Sequence, residues 1–427
     1  MIEPADESTA VTDENLAGAA VAANVAAFYE RHPYPPPVVD LKGYGRSWDA
    51  ARRRANLHLF WPAEADRYDR SILIAGCGTS QAAKYALRWP RARVTGIDFS
   101  SVSIERTAKL KRKHGIHNLE LKQMPIERAS ELGSTFDLIV CTGVLHHLLD
   151  PGLGLRALRD VLEPNGAIHL MVYAPYGRAG IYMLQDYCRR LGIDSTLDEM
   201  RDLAVILNTL PPDHPLAPVL RKGRDFRDEA GLADTLLNPR DRAYSVPQLF
   251  DFIDHADLQF GRWLRQAPYL PRCGALVRSP HGPRLLHLAA PDQYAALELF
   301  RGSMVEHSLI AYRNDSRNGH SISFDGDDWL DYVPIRLPET IVVEERLPPS
   351  AAAVLINTGH TYTDIYLPID APQKALFDAI DGQRSIGDLA RGDTARSTAR
   401  ILFERLWDYD QIVFDTSGSL APPRSNA

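Results

Sequence analysis

A chain of 427 residues, 45% hydrophobic and 24% charged, has material for more than one buried core and reads as globular, with two or three domains. Its net charge of −7 supplies no electrostatic reason to expect nucleic acid as the main partner, because phosphate binding depends on clustered Lys and Arg. It contains no apolar run of about eighteen residues and no basic-apolar-cleavage pattern at its start, so a membrane-spanning helix is not expected and the cytoplasm is the expected location.

The four cysteines, Cys77, Cys141, Cys188 and Cys273, stand far apart without a CxxC pair, so neither a zinc site nor a disulfide framework is signalled and no metal is expected. The first residues are acidic and lack periodicity, as in a flexible tail. From Asn15 to Tyr29 an Ala-rich helical pattern follows. It stops at Arg31-His32-Pro33-Tyr34-Pro35-Pro36-Pro37, where the prolines remove donors and force an extended arm. A second helix is predicted from Trp48 to Leu59. The basic clusters Arg52–Arg54 and Lys109–Lys113 read as solvated helix faces.

An alternating pattern then begins: strand Ile72–Ala75, helix Gln81–Arg88, strand Val94–Asp98, helix Ser101–His114 and strand Leu119–Gln123. Phe136–Val140 supplies a fourth strand, Leu153–Leu162 a helix and Ala167–Tyr173 a fifth strand. Short apolar runs between amphipathic helices predict a parallel sheet covered on both faces, with ligands beyond the carboxyl ends of its strands. Residues 176–244 read as a helical insertion. A helix capped by Ser245 follows, and Leu258–Leu264 and Ala275–Val277 are expected to close the sheet. After about Pro280 the pattern becomes α+β. Strands are predicted at Ser321–Phe324, Ile341–Glu344, Tyr362–Leu367 and Ile412–Phe414, and helices at Gln373–Ile380, Ser385–Ala390 and Thr394–Asp408. The expected partition is 1–62, an N-terminal helical arm; 63–280, the α/β domain with its insertion; and 281–427, a smaller α+β domain.

The chemistry-bearing signal is Ser71-Ile-Leu-Ile-Ala-Gly76-Cys77-Gly78-Thr79-Ser80 followed by a strand ending in Asp98. Glycines at 76 and 78 permit a sharp turn against a ligand, and a carboxylate about twenty residues on can accept hydrogen bonds from ribose hydroxyls. A dinucleotide turn wants a small residue where the helix opens, and Gln81 stands there, which disfavours NAD.

Taken together, Ile72–Ser80, Asp98-Phe99-Ser100, Gln123-Met124-Pro125, Phe136–Val140 continuing into Cys141-Thr142-Gly143-Val144-Leu145-His146-His147, and Leu162–Ala167 resemble the class I S-adenosylmethionine-dependent methyltransferases, over about residues 70–175. The resemblance implies a Rossmann-like seven-stranded sheet and S-adenosylmethionine as cofactor. It places Gly76, Cys77 and Gly78 along the methionine and ribose, Asp98 on the ribose hydroxyls, and Phe99 and Met124 on the two sides of the adenine. The backbone near Gln123 would read the adenine amino group, and Thr142 and Val144 would lie beside the sulfonium. His146 and His147 are the candidate bases for deprotonating an acceptor, against the alternative that the pair is structural.

The segment Tyr29-Glu30-Arg31-His32-Pro33-Tyr34-Pro35 is similar, more loosely, to an arm found ahead of some bacterial methyltransferase domains. It offers Tyr29 and Tyr34 as lid residues. Tyr173 and Arg178 are expected to face the acceptor. Leu376–Ile386 faintly resembles small winged-helix modules that hold peptides, and a structural or homodimerising role is its alternative.

The leading functional reading is methyl transfer by in-line displacement to a small-molecule or peptide acceptor. The competing readings are a cofactor-binding sensor or scaffold without catalysis, and an NAD-linked oxidoreductase.

Overall fold

In the computed structural model the described residues are 27, 28, 30–32, 38, 40–222, 226, 229–316 and 321–418. The expected first helix and the proline arm fall largely outside these, and Tyr29 and Tyr34 lie outside the described residues.

Strands β1 (Ser71–Ala75), β2 (Arg93–Asp98), β3 (Leu119–Gln123), β4 (Phe136–Thr142), β5 (Leu162–Tyr173), β6 (Leu258–Trp263) and β7 (Glu306–Arg313) form one sheet in the order β3-β2-β1-β4-β5-β7-β6. The first five run parallel, and β7 is antiparallel to both β5 and β6. This is a Rossmann-like α/β sheet with one reversed strand.

Its central strands are apolar throughout because both faces are covered. Leu73 and Ile139 pack into a core on one side, while Ile72, Ile74, Leu138 and Val140 pack into a core on the other. The covering helices begin where local chemistry starts them. Ser100 accepts from Ser103 N to cap Ser101–Lys113, and Asp150 accepts from Leu153 N to cap Pro151–Asp160. That cap, with Pro151 in the first turn, starts the latter helix two residues before the expected Leu153. It also ends before Leu162, which belongs to β5; residues 163–166 loop out, since Leu162 pairs with Phe136 and Ala167 with Leu138.

The sheet's last strands correct the sequence expectation in one place. Leu258–Leu264 is a strand as expected, but Ala275–Val277 is a short 3-10 turn, Ala275–Arg278, entered through Gly274 at φ 82°. The seventh strand is instead Glu306–Arg313, beyond the boundary expected near residue 280. An apolar run of three residues behind a left-handed glycine cannot sustain a ladder. Leu309, Ile310 and Ala311, wholly buried between two neighbours, can.

The insertion has a core of its own, in which Ile181, Leu184 and Cys188 of helix Ala179–Leu191 meet Met200 and Leu203 of helix Leu197–Leu207. In the C-terminal part, β8 (Val333–Arg336), β9 (Thr340–Val343), β10 (Ala353–Asn357), β11 (Leu367–Ile369) and β12 (Ile412–Asp415) form two small antiparallel sheets, β11-β10-β9 and β12-β8. Ser321–Phe324 is not a strand, and β8 and β10 were not anticipated. The helices there are Ala371–Asp378, Ile386–Leu389 and Asp393–Asp408.

This part is not a detached module. Ile335, Leu337 and Val413 share the core that holds Ile72 and Val94, and Asp410, 1% exposed, accepts from Arg262 Nη2 at 2.9 Å and from Ala267 N at 2.9 Å. No described helix is long and apolar enough to cross a membrane.

Candidate active site

β1 leads to β2 on one side and β4 to β5 on the other, so the connections part and leave a crevice at the carboxyl ends of these strands. A cavity of about 340 Å³ fills that crevice. Its walls include Gly76, Cys77, Gly78, Asp98 and Phe99 from the first two turns and Thr142 and Val144 from the third, together with His147, Tyr173 and Arg178.

Each wall is held from behind. Gly76 and Gly78 have φ of 71° and 53°, and Gly76 N donates to Ile97 O at 2.9 Å. A Cβ at Gly76 would fall inside van der Waals contact with Val144, so this glycine is required by the approach of the β4 loop as well as by its backbone angle. Asp98 accepts from Gly78 N at 2.8 Å through one oxygen and from Ser100 N at 2.9 Å through the other, which locks its carboxylate to the turn. Burial raises its pKa against these two bonds. Gln81, read from sequence as an obstruction, bridges the turn by donating from Nε2 to Thr142 Oγ1 at 2.8 Å.

The expected residues do not all reach the cavity. Gln123 and Met124 are not among its lining: the Gln123 side chain donates to Phe99 O at 3.1 Å, and Met124 packs against the core while its backbone N–H donates to Asp98 O at 2.9 Å. The two histidines also part company. His147 lines the cavity and donates from Nδ1 to Arg240 O at 2.6 Å. His146 is completely buried behind it, packed at a tilt against Tyr173 with ring centroids 3.9 Å apart. Burial, then the neighbouring His147 and Arg178, hold His146 well below the usual imidazole range, so it stays neutral. Burial likewise pushes the Cys141 thiol up to about 12 and Cys77 well above its ordinary value, which leaves neither as a thiolate nucleophile.

Arg178 forms the far wall. Its guanidinium lies 3.5 Å from the Tyr173 ring centroid and donates to Asp241 at 2.8 Å, a pair 7% and 2% exposed. Gln185 donates to the same Asp241 oxygen at 2.9 Å, so the insertion buttresses this wall of the cavity. Sequence reasoning missed Lys84, Met171, Val305 and Glu306, which also line it. Lys84 was legible as one turn beyond Gln81, whereas Val305 and Glu306 arrive only because β7 inserts between β5 and β6.

Among the described residues one grouping has metal-ligand character, His58, Asp66 and Asp415. Arg54 already pairs with both carboxylates, at 3.3 Å and 2.7 Å.

A family model described as a methyltransferase domain matches residues 73–168. An uncharacterised protein of Synechococcus is 31% identical over 246 residues, 55% of this chain and 58% of that protein. The ubiquinone biosynthesis O-methyltransferase of Bordetella avium is 29% identical over 133 residues, 28% of this chain and 53% of that enzyme. The chain thus spans little more than half the length of these curated relatives. Of solved structures, PKMT2 from Rickettsia typhi superposes with a TM-score of 0.61 at 17% identity, over 89% of this chain and 76% of that one, and it is also solved in complex with AdoHcy.

The observed cradle fits an adenosyl cofactor: two left-handed glycines bring backbone to the wall, an anchored carboxylate stands beside them, and Val144 and Met171 supply apolar surface. The chain carries a Rossmann-like methyltransferase fold, and residues 73–168 within it match a methyltransferase-domain model.

Proposed function

We propose that this protein transfers a methyl group from S-adenosylmethionine to a small-molecule or peptide acceptor. The observation that carries the reading is the single cavity onto which Gly76, Gly78, Asp98, Phe99, Thr142 and Val144 converge with His147, Tyr173 and Arg178. The cofactor supplies an electrophilic methyl on a sulfonium, and transfer is an in-line displacement helped mainly by positioning.

In this reading Asp98 takes the ribose hydroxyls, and Phe99 covers one side of the adenine. His147 handles the acceptor proton: with Nδ1–H donated to the Arg240 carbonyl, Nε2 is the nitrogen able to take up a proton. His146 is a positioning residue that supports the Tyr173 ring. Arg178 and Tyr173, braced by Asp241 and Gln185, shape the acceptor side.

Isothermal titration with S-adenosylmethionine tests the core of the proposal. Wild type is expected to bind, and Asp98→Ala to bind at least about 30-fold more weakly, from two lost hydrogen bonds to a charged acceptor. Absence of binding by wild type, or equal affinity in the variant, refutes it. A mass gain of one methyl in an acceptor, reduced in His147→Ala at unchanged cofactor affinity, tests the proton-handling role.

A further inference from the structure

A second cavity, of about 440 Å³, continues along helix Gln81–Arg88 from the first, where helix Ala50–Phe60, the sheet and the segment leading into β9 meet. Gln81 and Lys84 line both this cavity and the cofactor cavity, so the two share a wall. Gln81, Lys84, Tyr85 and Arg88 fall at i, i+3, i+4 and i+7, on one face of their helix. The facing helix presents Arg52, Asn56 and Leu59, and Trp48 precedes it. Two helices that pack over a sheet ordinarily meet through apolar stripes, and these stripes carry cations instead.

The lining holds four cationic side chains, Arg52, Lys84, Arg88 and Arg265, and one carboxylate, Glu339. Glu339 is committed to Arg52 at 2.8 Å. Among the described residues, Lys84, Arg88 and Arg265 have no carboxylate within ion-pair distance. Arg88 is held between the Trp48 and Tyr85 rings at 4.0 Å and 4.1 Å and donates to Tyr44 Oη at 2.8 Å. The floor is His169, whose Nε2 is 2.9 Å from Ser308 Oγ and whose Nδ1 is buried without a hydrogen-bond partner. Asn56 Oδ1 and the Nε atoms of Arg52 and Arg88 are in the same condition. Buried polar atoms are ordinarily paired, and the unspent Nε–H donors of Arg52 and Arg88 beside one positively charged space mark where a ligand's oxygens belong, while Asn56 Oδ1, an acceptor, is left for a donor such as water. The titrating groups respond to the same field. Burial, then Arg88 and Arg265, hold His169 down at about 3, and burial with Arg88 lowers Lys84.

We propose that this cavity is a binding site for a small polyanion bearing phosphate or carboxylate groups. Arg265 and Lys84 supply its charge contacts, Arg88 is fixed in place by its aromatic neighbours, and Glu339 tunes affinity by occupying Arg52. Although it shares Gln81 and Lys84 with the cofactor cavity, the proposal does not depend on the methyl-transfer reading.

Titration calorimetry of the whole chain with pyrophosphate and with citrate, at constant ionic strength to hold screening fixed, tests it. Saturable binding of pyrophosphate supports a phosphate ligand, and of citrate a carboxylate one. Arg265→Gln is expected to weaken binding about tenfold through loss of a charge-assisted contact. Glu339→Gln, which frees Arg52, is expected to tighten it several-fold, an outcome that misfolding cannot imitate. Asp98→Ala is expected to leave it unchanged, which separates this site from the cofactor cavity. No saturation by either anion, or equal affinities in wild type, Arg265→Gln and Glu339→Gln, overturns the proposal.

Discussion

Gly76 does two things at once. It takes a φ of 71°, and it leaves room for Val144, whose side chain a Cβ would overlap. Gly76→Ala is therefore expected to destabilise the fold by roughly 2–4 kcal/mol, part from the left-handed backbone and part from overpacking. In a urea-unfolding double-mutant cycle, Val144→Ala should recover the overpacking share and leave the backbone share. Strict additivity of the two changes would show that the contact is relieved elsewhere. The histidine pair teaches a related point. Adjacent in sequence and identical in chemistry, His146 and His147 differ because one faces the cavity and the other is enclosed by Tyr173 and the core.

At the scale of elements, the Arg178 wall of the cavity depends on how the insertion is tied to β5. Tyr244 N donates to Tyr173 O at 2.9 Å where the insertion returns, and Arg178 and Asp241 close the loop from its two ends. A pair this dry contributes little net attraction, but removing one partner strands the other charge. Arg178→Met is accordingly expected to cost about 3–5 kcal/mol by leaving Asp241 buried and uncompensated. Arg178→Met with Asp241→Leu should restore most of that stability, and thermal unfolding of the two variants measures the difference. If the single variant unfolds at the wild-type temperature, the insertion is held by its apolar core rather than by this pair.

The whole molecule is joined at a junction of buried charge between the α/β sheet and the C-terminal part. Asp408 is 5% exposed, and burial raises its pKa to about 7 although Arg272 lies 3.0 Å away. Its folded value thus stands above the unfolded one of about 3.9. The folded state holds the proton over the interval in which the unfolded state has released it, so this group's effect is to lower stability as pH rises from about 4 to about 7. Asp408→Asn resembles the protonated form. It is expected to match wild type near pH 4 and to exceed it at pH 8 by up to about 4 kcal/mol, a ceiling set by roughly three pKa units. Denaturant midpoints of both proteins across that range check it, and a constant difference would remove Asp408 as the cause.

Much of the site was legible because its signals are local. The apolar runs of β1 and β4, the glycines between Ala75 and Thr79, and the carboxylate ending β2 each report the backbone they occupy, so the sheet's parallel half and the residues Gly76, Gly78 and Asp98 could be read directly, whereas Thr142 and Val144 were offered by the family resemblance and line the same cavity. Residues whose role depends on what comes from elsewhere were not legible. Met124 is apolar and correctly spaced, yet the core claimed it. Arg52 reads as part of a solvated basic face, yet the C-terminal segment covers it and supplies Glu339. Glu306 reaches the cavity only through a strand from beyond the expected domain boundary. The sequence by itself determined the nucleotide-type turn and the parallel half of the sheet, because short-range periodicity and backbone conformation are properties of neighbouring residues. The tertiary structure alone decided which histidine meets the cavity, what braces its Arg178 wall and where cations without a carboxylate partner gather, because those outcomes depend on segments distant in sequence excluding water from the same space.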